Sequence, residues 1–158
     1  MKLDRAFVTV TGLGLAAVLA VAVSCKGTDA QSEAAPAGPA WKDMTKEQRG
    51  SFMKEHVLPE MGAAFAAFDP EDFGKMKCGT CHGPGAKDKT FKMPNPKLPH
   101  LPTDAEGFKA LEAKEPAAVK FMKEVVVPKM AALLGEAPYD PATKEGFGCF
   151  DCHTPRTK

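Results

Sequence analysis

The sequence predicts a mostly α-helical fold made of two copies of one unit, each a helix followed by a turn and a short cysteine-containing motif. Apolar residues recur every three or four positions along two segments, which is typical of amphipathic helices. No run of alternating apolar and polar residues predicts a convincing strand. The block Phe52-Met53-Lys54-Glu55 returns as Phe121-Met122-Lys123-Glu124. Such self-similarity predicts repeated supersecondary units, here about 45–100 and about 104–158.

The first 24 residues predict an export signal. Lys2 and Arg5 precede an apolar run from Phe7 to Val23, a pattern typical of signal peptides. Cys25 follows, and the residues ahead of it are similar to a bacterial lipoprotein cleavage box. We therefore expect lipidation of Cys25 and attachment to the periplasmic face of a bacterial membrane, with inner or outer membrane left open. An uncleaved anchor, or an ordinary signal with a stray thiol, is the alternative.

Residues 25–40 predict a flexible linker, and 41–158 predict one folded domain. The linker is rich in alanine, glycine and proline and contains few large apolar residues that a core would need. The domain has a length suited to a single core. With 21 basic and 20 acidic side chains, the chain has a net charge of +1. This balance gives no indication of nucleic-acid binding.

Helix starts are predicted from capping patterns. Thr45 with Gln48, and Thr103 with Glu106, match the capping box. We expect a helix from each, the second over about 104–114, and a further helix beginning near Pro116.

Two apolar stripes predict which helix faces are buried. Their residues are Met53, Val57, Met61, Ala64, Phe65 and Phe68 in the first copy, and Met122, Val126, Met130, Leu133 and Leu134 in the second. Pro59 and Pro128 lie within these helices, and each is expected to kink or restart its helix. The dipeptides Asp69-Pro70 and Asp140-Pro141 then predict turns.

Each copy ends in a Cys-x-x-Cys-His motif, the attachment pattern of a c-type haem. The first is Cys78-Gly-Thr-Cys81-His82 and the second is Cys149-Phe-Asp-Cys152-His153. The two thiols form thioethers to the porphyrin, and the imidazole binds the iron. A zinc ribbon, the main alternative with a disulfide, places its cysteine pairs roughly 15–20 residues apart. We therefore expect two covalently bound haem c groups, which would fill much of the interior and leave the haem-free chain poorly folded.

We expect His82 and His153 to be the proximal iron ligands, with a second side chain bound to each iron on the opposite side. Met61 and Met130 are preferred because they lie at matched positions of the repeat, 17 and 19 residues before the following cysteine. A thioether ligand raises the reduction potential. Packing is the alternative role, since methionine often fills gaps in cores. Lower-ranked candidates are Met93, His56, His100, Met53 and Met122.

A helix with a methionine, a turn and then Cys-x-x-Cys-His resembles the repeating unit of the tetrahaem cytochrome subunit of photosynthetic reaction centres. The resemblance covers most of Thr45 to His153 and amounts to a half-size version of that subunit. It implies that Met61 pairs with His82 across one iron and Met130 with His153 across the other. Because this chain has two units rather than four, no photosynthetic partner is implied.

The residues around the first motif are strongly basic, and proline is frequent after it. The lysines are Lys75, Lys77, Lys87, Lys89, Lys92 and Lys97, opposed by Asp88 alone. We call these six residues the lysine cluster, and we expect it to attract an acidic redox partner. The segment 83–103 contains five prolines, so we expect an irregular loop that wraps the first haem.

The leading functional hypothesis is an electron carrier with two six-coordinate haems, tethered in the periplasm. The sequence has no recognisable acid, base or nucleophile set, so we do not expect an enzyme. The alternative is a haem-based sensor or binder of small molecules with one open axial position, similar to cytochromes c-prime.

Overall fold

The computed structural model describes residues 38–156, and most of them are helical, which confirms the prediction of a mostly α-helical chain. Within this range the extended backbone forms isolated bridges rather than strands, for example between Leu101 and Pro155. None of the helices in this range is long and apolar enough to cross a membrane. The predicted export signal, Cys25 and most of the linker lie outside the described residues.

Helix α1, Lys46–Phe52, begins at the predicted capping box. The Thr45 hydroxyl oxygen accepts a hydrogen bond from the Gln48 backbone N–H at 3.2 Å, and the Gln48 side-chain oxygen accepts one from the Thr45 N–H at 2.7 Å. The preceding 3₁₀ turn, Trp41–Asp43, is held on this helix because the Arg49 Nε donates to the Trp41 carbonyl at 3.1 Å.

The helix continues through a π-helical turn, Met53–Val57, into α2, Leu58–Phe68. The Leu58 N–H donates to the Met53 carbonyl, five residues earlier. Pro59 follows directly, and an α-helical backbone would bring its ring against the carbonyl four residues before it. The wider turn accommodates the proline, so the helix restarts instead of breaking.

Two short helices follow α2. Asp69 caps α3, Pro70–Phe73, by accepting hydrogen bonds from the backbone N–H groups of Glu71 and Asp72 at 3.0 and 3.1 Å. The first Cys-x-x-Cys-His motif forms the single helical turn α4, Cys78–His82.

Helix α5, Ala105–Lys114, starts one residue away from the predicted cap. Asp104 is the N-cap, and its carboxylate oxygen accepts from the Gly107 N–H at 2.8 Å. The predicted capping box of Thr103 with Glu106 is therefore wrong. Aspartate ranks above threonine as an N-cap, and the two residues are adjacent.

The second copy repeats the α–π–α arrangement of the first. Helix α6, Pro116–Phe121, runs through the π-helical turn Met122–Val126 into α7, Val127–Leu134. Again a proline, Pro128, follows the wide turn. Gly135 ends α7 in the left-handed region at φ +67°. Asp140 then forms a turn without a helix, accepting from the Ala142 N–H at 2.8 Å.

The core lies between the two copies. Its buried apolar residues are Phe52, Val57, Met61, Phe65, Phe121, Ala131, Leu134 and Phe147. The Phe121 ring meets Phe65 edge-on at 5.0 Å and stacks on Phe68 at 4.3 Å. Of the predicted stripes, Val57, Met61, Phe65 and Leu134 are buried; Phe68 is 39% exposed, and the others are half-buried.

Candidate functional site

The first motif is positioned by a helical turn. Lys77 precedes α4, and its N–H donates to the Thr80 hydroxyl at 3.1 Å. Cys81 and His82 lie three and four residues after Cys78 in this turn, so each side chain is a neighbour of Cys78 on the helix surface. All three are half-buried.

The second motif forms a tighter 3₁₀ turn, Cys149–Asp151. Its start is fixed by the Gly148 N–H, which donates to the Asp151 carboxylate at 2.7 Å. The His153 N–H donates to the Cys149 carbonyl at 2.9 Å, which closes the turn. Cys152 packs against the hydrophobic core.

The proline-rich loop lies between the two motifs and holds both. The Asn95 side-chain Nδ2 donates to the Cys81 carbonyl at 2.8 Å, and the Asn95 backbone N–H donates to the Cys152 carbonyl at 3.0 Å. Farther along the loop, the Leu101 N–H donates to the Thr154 carbonyl at 3.0 Å, and the Leu101 carbonyl accepts from Arg156 at 2.7 Å. The loop thus connects the first motif with the last residues of the fold.

The four motif thiols are free and half-buried. Burial raises the pKa of Cys81, and the neighbouring Cys78 adds to the shift. Burial also raises the pKa of Cys149. It raises the pKa of Cys152 to about 12, with smaller contributions from Cys81, Asp151 and Cys149. The influence of Cys81 on Cys152 reflects how close the two motifs lie.

The His153 ring is oriented by a backbone carbonyl. Its Nδ1 lies 2.8 Å from the Pro99 oxygen. Because a carbonyl can only accept, Nδ1 carries a proton, and in the neutral ring Nε2 presents its lone pair. A carbonyl on one ring nitrogen and a metal on the other is the usual arrangement of a metal-binding histidine.

His82 is less firmly held. Its Nδ1 is buried and has no hydrogen-bond partner among the described residues, and its ring meets Phe91 edge-on at 5.4 Å. Burial lowers the pKa of His82, while the Phe91 backbone acts in the opposite direction. The net shift favours the neutral imidazole, which is the form that binds metal.

The surroundings of the motifs fit a flat apolar group. Phe91 beside His82 and Phe150 within the second motif are each 41% exposed, and Tyr139 is 48% exposed. Phe91 also has φ +50°, an uncommon backbone conformation for a bulky residue. Exposed aromatic rings next to free thiols and an oriented imidazole suit covalent haem. Between residues 38 and 156, no three His, Cys, Asp or Glu side chains cluster as a bare metal ion would require.

The methionines proposed as ligands lie in or beside the core. Met61 is 4% exposed, while Met130 is half-buried and packs against the same core, as does Cys152. Met53 and Met122, lower-ranked ligand candidates that also occupy matched positions of the repeat, are half-buried and contact the core as well.

The remaining candidate ligands lie on the loop or the first helix. Met93 is half-buried and His100 is exposed, with its Nε2 3.1 Å from the Pro96 carbonyl. His56 packs against the Phe52 ring at a centroid distance of 5.0 Å.

All six members of the lysine cluster are exposed. Asp88, the opposing carboxylate, is hydrogen-bonded by the backbone and hydroxyl of Thr90 at 3.0 and 2.8 Å, which lowers its pKa. Asp88 therefore stays ionised and offsets one of the six lysines, so an excess of positive charge remains around the first motif.

Two residues of this site, Asn95 and Pro99, were not predicted from the sequence. Both act through hydrogen bonds between distant positions, 14 residues apart for Asn95 and Cys81 and 54 for Pro99 and His153. The one available signal was that Asn95 is the sole asparagine of the chain and stands between two prolines.

Comparison of the chain with protein-family models, with curated proteins and with solved structures gave no match.

Proposed function

We propose that the chain is a c-type cytochrome with two covalently attached haems, which carries electrons between redox partners outside the cytoplasm. The observation that carries this proposal is the geometry of the two Cys-x-x-Cys-His motifs. They are far apart in the sequence but are held by one loop, with His153 Nδ1 engaged and Nε2 available. The two helix–turn–motif repeats would then pack around both haems.

Each motif residue has a defined role in this proposal. The thiols of Cys78 and Cys81 hold one porphyrin, and those of Cys149 and Cys152 hold the other. His82 and His153 would each bind one iron, and Met61 and Met130 would each supply a second ligand. Bound haem supplies a reversible one-electron change. The protein supplies attachment, ligand orientation and exclusion of water.

The closeness of the motifs supports transfer of electrons between the two haems. Cys81 lies near enough to Cys152 to influence its pKa, and Asn95 contacts the backbone of both. The residues that would hold the two haems are therefore linked by one loop, and the bound groups would supply one-electron chemistry. We infer a carrier rather than an enzyme.

The proposed location is the periplasmic side of a bacterial membrane. Lipidated Cys25 would anchor the chain, and the linker would let the domain reach partners nearby. Mass spectrometry of the mature protein tests this location. Lipid on Cys25 is expected, and an unmodified thiol there would refute the anchor.

The mass and the optical spectrum of the purified protein test the haem proposal. We expect a mass that exceeds the polypeptide by two haems. The double substitution Cys149→Ala and Cys152→Ala should remove one haem and leave the other. A colourless preparation with the mass of the bare chain would exclude the proposal.

Carbon monoxide separates the electron carrier from the sensor. A reduced haem with two protein ligands should leave its spectrum unchanged when the gas is added. Rapid formation of a carbonyl complex at one haem would instead favour the alternative with an open axial position.

A further inference from the structure

Asn95 is the one buried polar residue in the described part of the chain, with 2% of its surface exposed. Its amide forms a hydrogen bond at each of its two polar atoms. Nδ2 donates to the Cys81 carbonyl at 2.8 Å, and Oδ1 accepts from the Lys97 N–H at 2.9 Å. Buried polar groups are costly unless they are hydrogen-bonded, and this amide is bonded to the first motif and to its own loop.

The Asn95 backbone reaches the second motif at the same time. Its N–H donates to the Cys152 carbonyl at 3.0 Å. Each carbonyl belongs to the peptide bond that leads into a proposed iron ligand, His82 after Cys81 and His153 after Cys152. Asn95 therefore binds both the peptide group that precedes His82 and the peptide group that precedes His153.

The first motif is shaped to receive this amide. Gly83 follows His82 at φ +55°, where glycine is favoured. A Cβ on Gly83 would lie 2.8 Å from Nδ2 and 2.9 Å from Oδ1 of Asn95. The space for the amide therefore depends on the missing side chain at position 83.

The loop beyond Asn95 continues to act on the second motif. Pro99 accepts from Nδ1 of His153 at 2.8 Å, and Leu101 bonds to Thr154 and Arg156. A displacement of Asn95 would therefore be transmitted to His153 by two routes, through the Cys152 peptide and through Pro99. It would reach His82 through the Cys81 peptide.

We infer that Asn95 is a positioning residue shared by the two haem sites, which sets the orientation of both proximal histidines together. This inference rests on the proposed function. Proximal histidine orientation and hydrogen bonding tune the properties of the metal. A change at Asn95 should consequently alter both haems, although it lies in neither motif.

Substitution at Asn95 tests the inference in the haem-loaded protein. Asn95→Asp keeps the size of the side chain but places an acceptor opposite the Cys81 carbonyl, and Asn95→Ala removes the amide. Both variants should shift the midpoint potentials of both haems in a redox titration. Thr103→Ala is the control, since Thr103 is exposed on the same segment, and it should shift neither. A shift at one haem alone, or at none, would overturn the inference.

A measurement on the unmodified protein applies even if the variants fail to fold. Because Asn95 is the sole asparagine, selective ¹⁵N-asparagine labelling gives one backbone ¹⁵N signal and one side-chain ¹⁵N signal, the latter coupled to two protons. We expect both signals to move when each haem in turn changes oxidation state. Signals that follow only one haem, or neither, would refute the shared role. If the protein carries no haem, the proposed function fails; if it carries two and these signals stay fixed, only this inference fails.

Discussion

Met61 is both a core residue and a proposed iron ligand, and these roles predict different effects of substitution. At 4% exposure, truncation to alanine would create a cavity that costs about 2–5 kcal/mol whatever else the sulfur does. Leucine has a similar volume, and such exchanges cost less than about 1.5 kcal/mol. A leucine variant therefore separates the effect of losing the sulfur atom from the effect of losing side-chain volume.

We predict that Met61→Leu folds, retains two haems and lowers the midpoint potential of one of them, because a sulfur ligand is lost. The same haem should then bind carbon monoxide when reduced. Redox titration and the optical spectrum provide the measurements. Met53→Leu, the matched variant eight residues earlier on the same continuous helix, should change neither. An unaltered potential in Met61→Leu would assign Met61 to packing.

Three residues show which contacts sequence patterns could predict and which they could not. Thr45 was correctly predicted as a cap because its partner, Gln48, is local. Thr103 was wrongly preferred over Asp104 because only Thr103 has a glutamate three residues later, although both residue types are good N-caps and the choice depends on backbone geometry. Asn95 had no local pattern at all, since its partners lie in two distant motifs.

The two α–π–α helices are the elements that best relate the copies to each other. The wide turns Met53–Val57 and Met122–Val126 each precede a proline. Periodicity and the prolines predicted a disturbed helix at these places. The form of the disturbance could not be predicted, because a kink, a break and a π-helical turn all accommodate the missing N–H.

An ion pair joins equivalent positions of the two copies. Lys129 Nζ lies 3.1 Å from the Glu60 carboxylate, and the residues are 69 positions apart, which is the offset of the repeat. Equivalent residues can meet in this way when two similar helices pack about an approximate two-fold axis. The opposite charges at these positions favour pairing between the copies.

We predict that reversing either charge destabilises the fold and that reversing both restores it. Lys129→Glu or Glu60→Lys places like charges together, whereas the double variant recovers the pair. The side chains are 34% and 41% exposed, so the coupling energy should be modest, about 0.2–1 kcal/mol. A double-mutant cycle from urea unfolding of the haem-loaded protein measures it.

The control for this cycle is the pair Lys120 and Glu124, 3.9 Å apart within one helical segment. Its reversal should leave the contact between the copies unchanged and show the smaller coupling of an exposed pair. A coupling of zero between Glu60 and Lys129 would mean that the apolar contacts alone align the helices.

At the scale of the whole molecule, charge is balanced but unevenly placed. The chain has a net charge of +1, yet the exposed lysine cluster surrounds the first motif. Since interactions between exposed charges are screened over about 10 Å at 0.1 M salt, such a cluster affects the rate of encounter more than the strength of binding.

We predict that anionic oxidants react with the reduced protein faster than the overall charge implies. The rate of oxidation by hexacyanoferrate(III) should fall as salt is added, and the rate of oxidation by a cationic cobalt complex should rise. Lys87→Glu with Lys92→Glu should slow the anionic reaction several-fold at low salt in stopped-flow measurements. Lys109→Glu with Lys114→Glu, on α5, is the control. Equal effects of both double variants would show that the lysine cluster has no special role.

More of the helical architecture than of the site's geometry could be predicted from the sequence. Local periodicity and capping residues determine the helices, and these signals are visible in the sequence. They correctly predicted the helical class, both proline-disturbed helices, the start of α1 and the helix over 104–114. The chemical groups of the motifs were also evident from their spacing. Their arrangement beside each other was not, because it depends on loop carbonyls whose partners are fixed by tertiary folding.

The close approach of Gly83 to Asn95 has a consequence for how this chain can diverge. A side chain at position 83 would occupy the volume of the amide at 95, so neither position can drift independently. Related sequences should keep glycine at 83 wherever they keep asparagine at 95. A lineage that loses the asparagine would be freed from the contact, though the backbone angle at 83 would still resist most replacements.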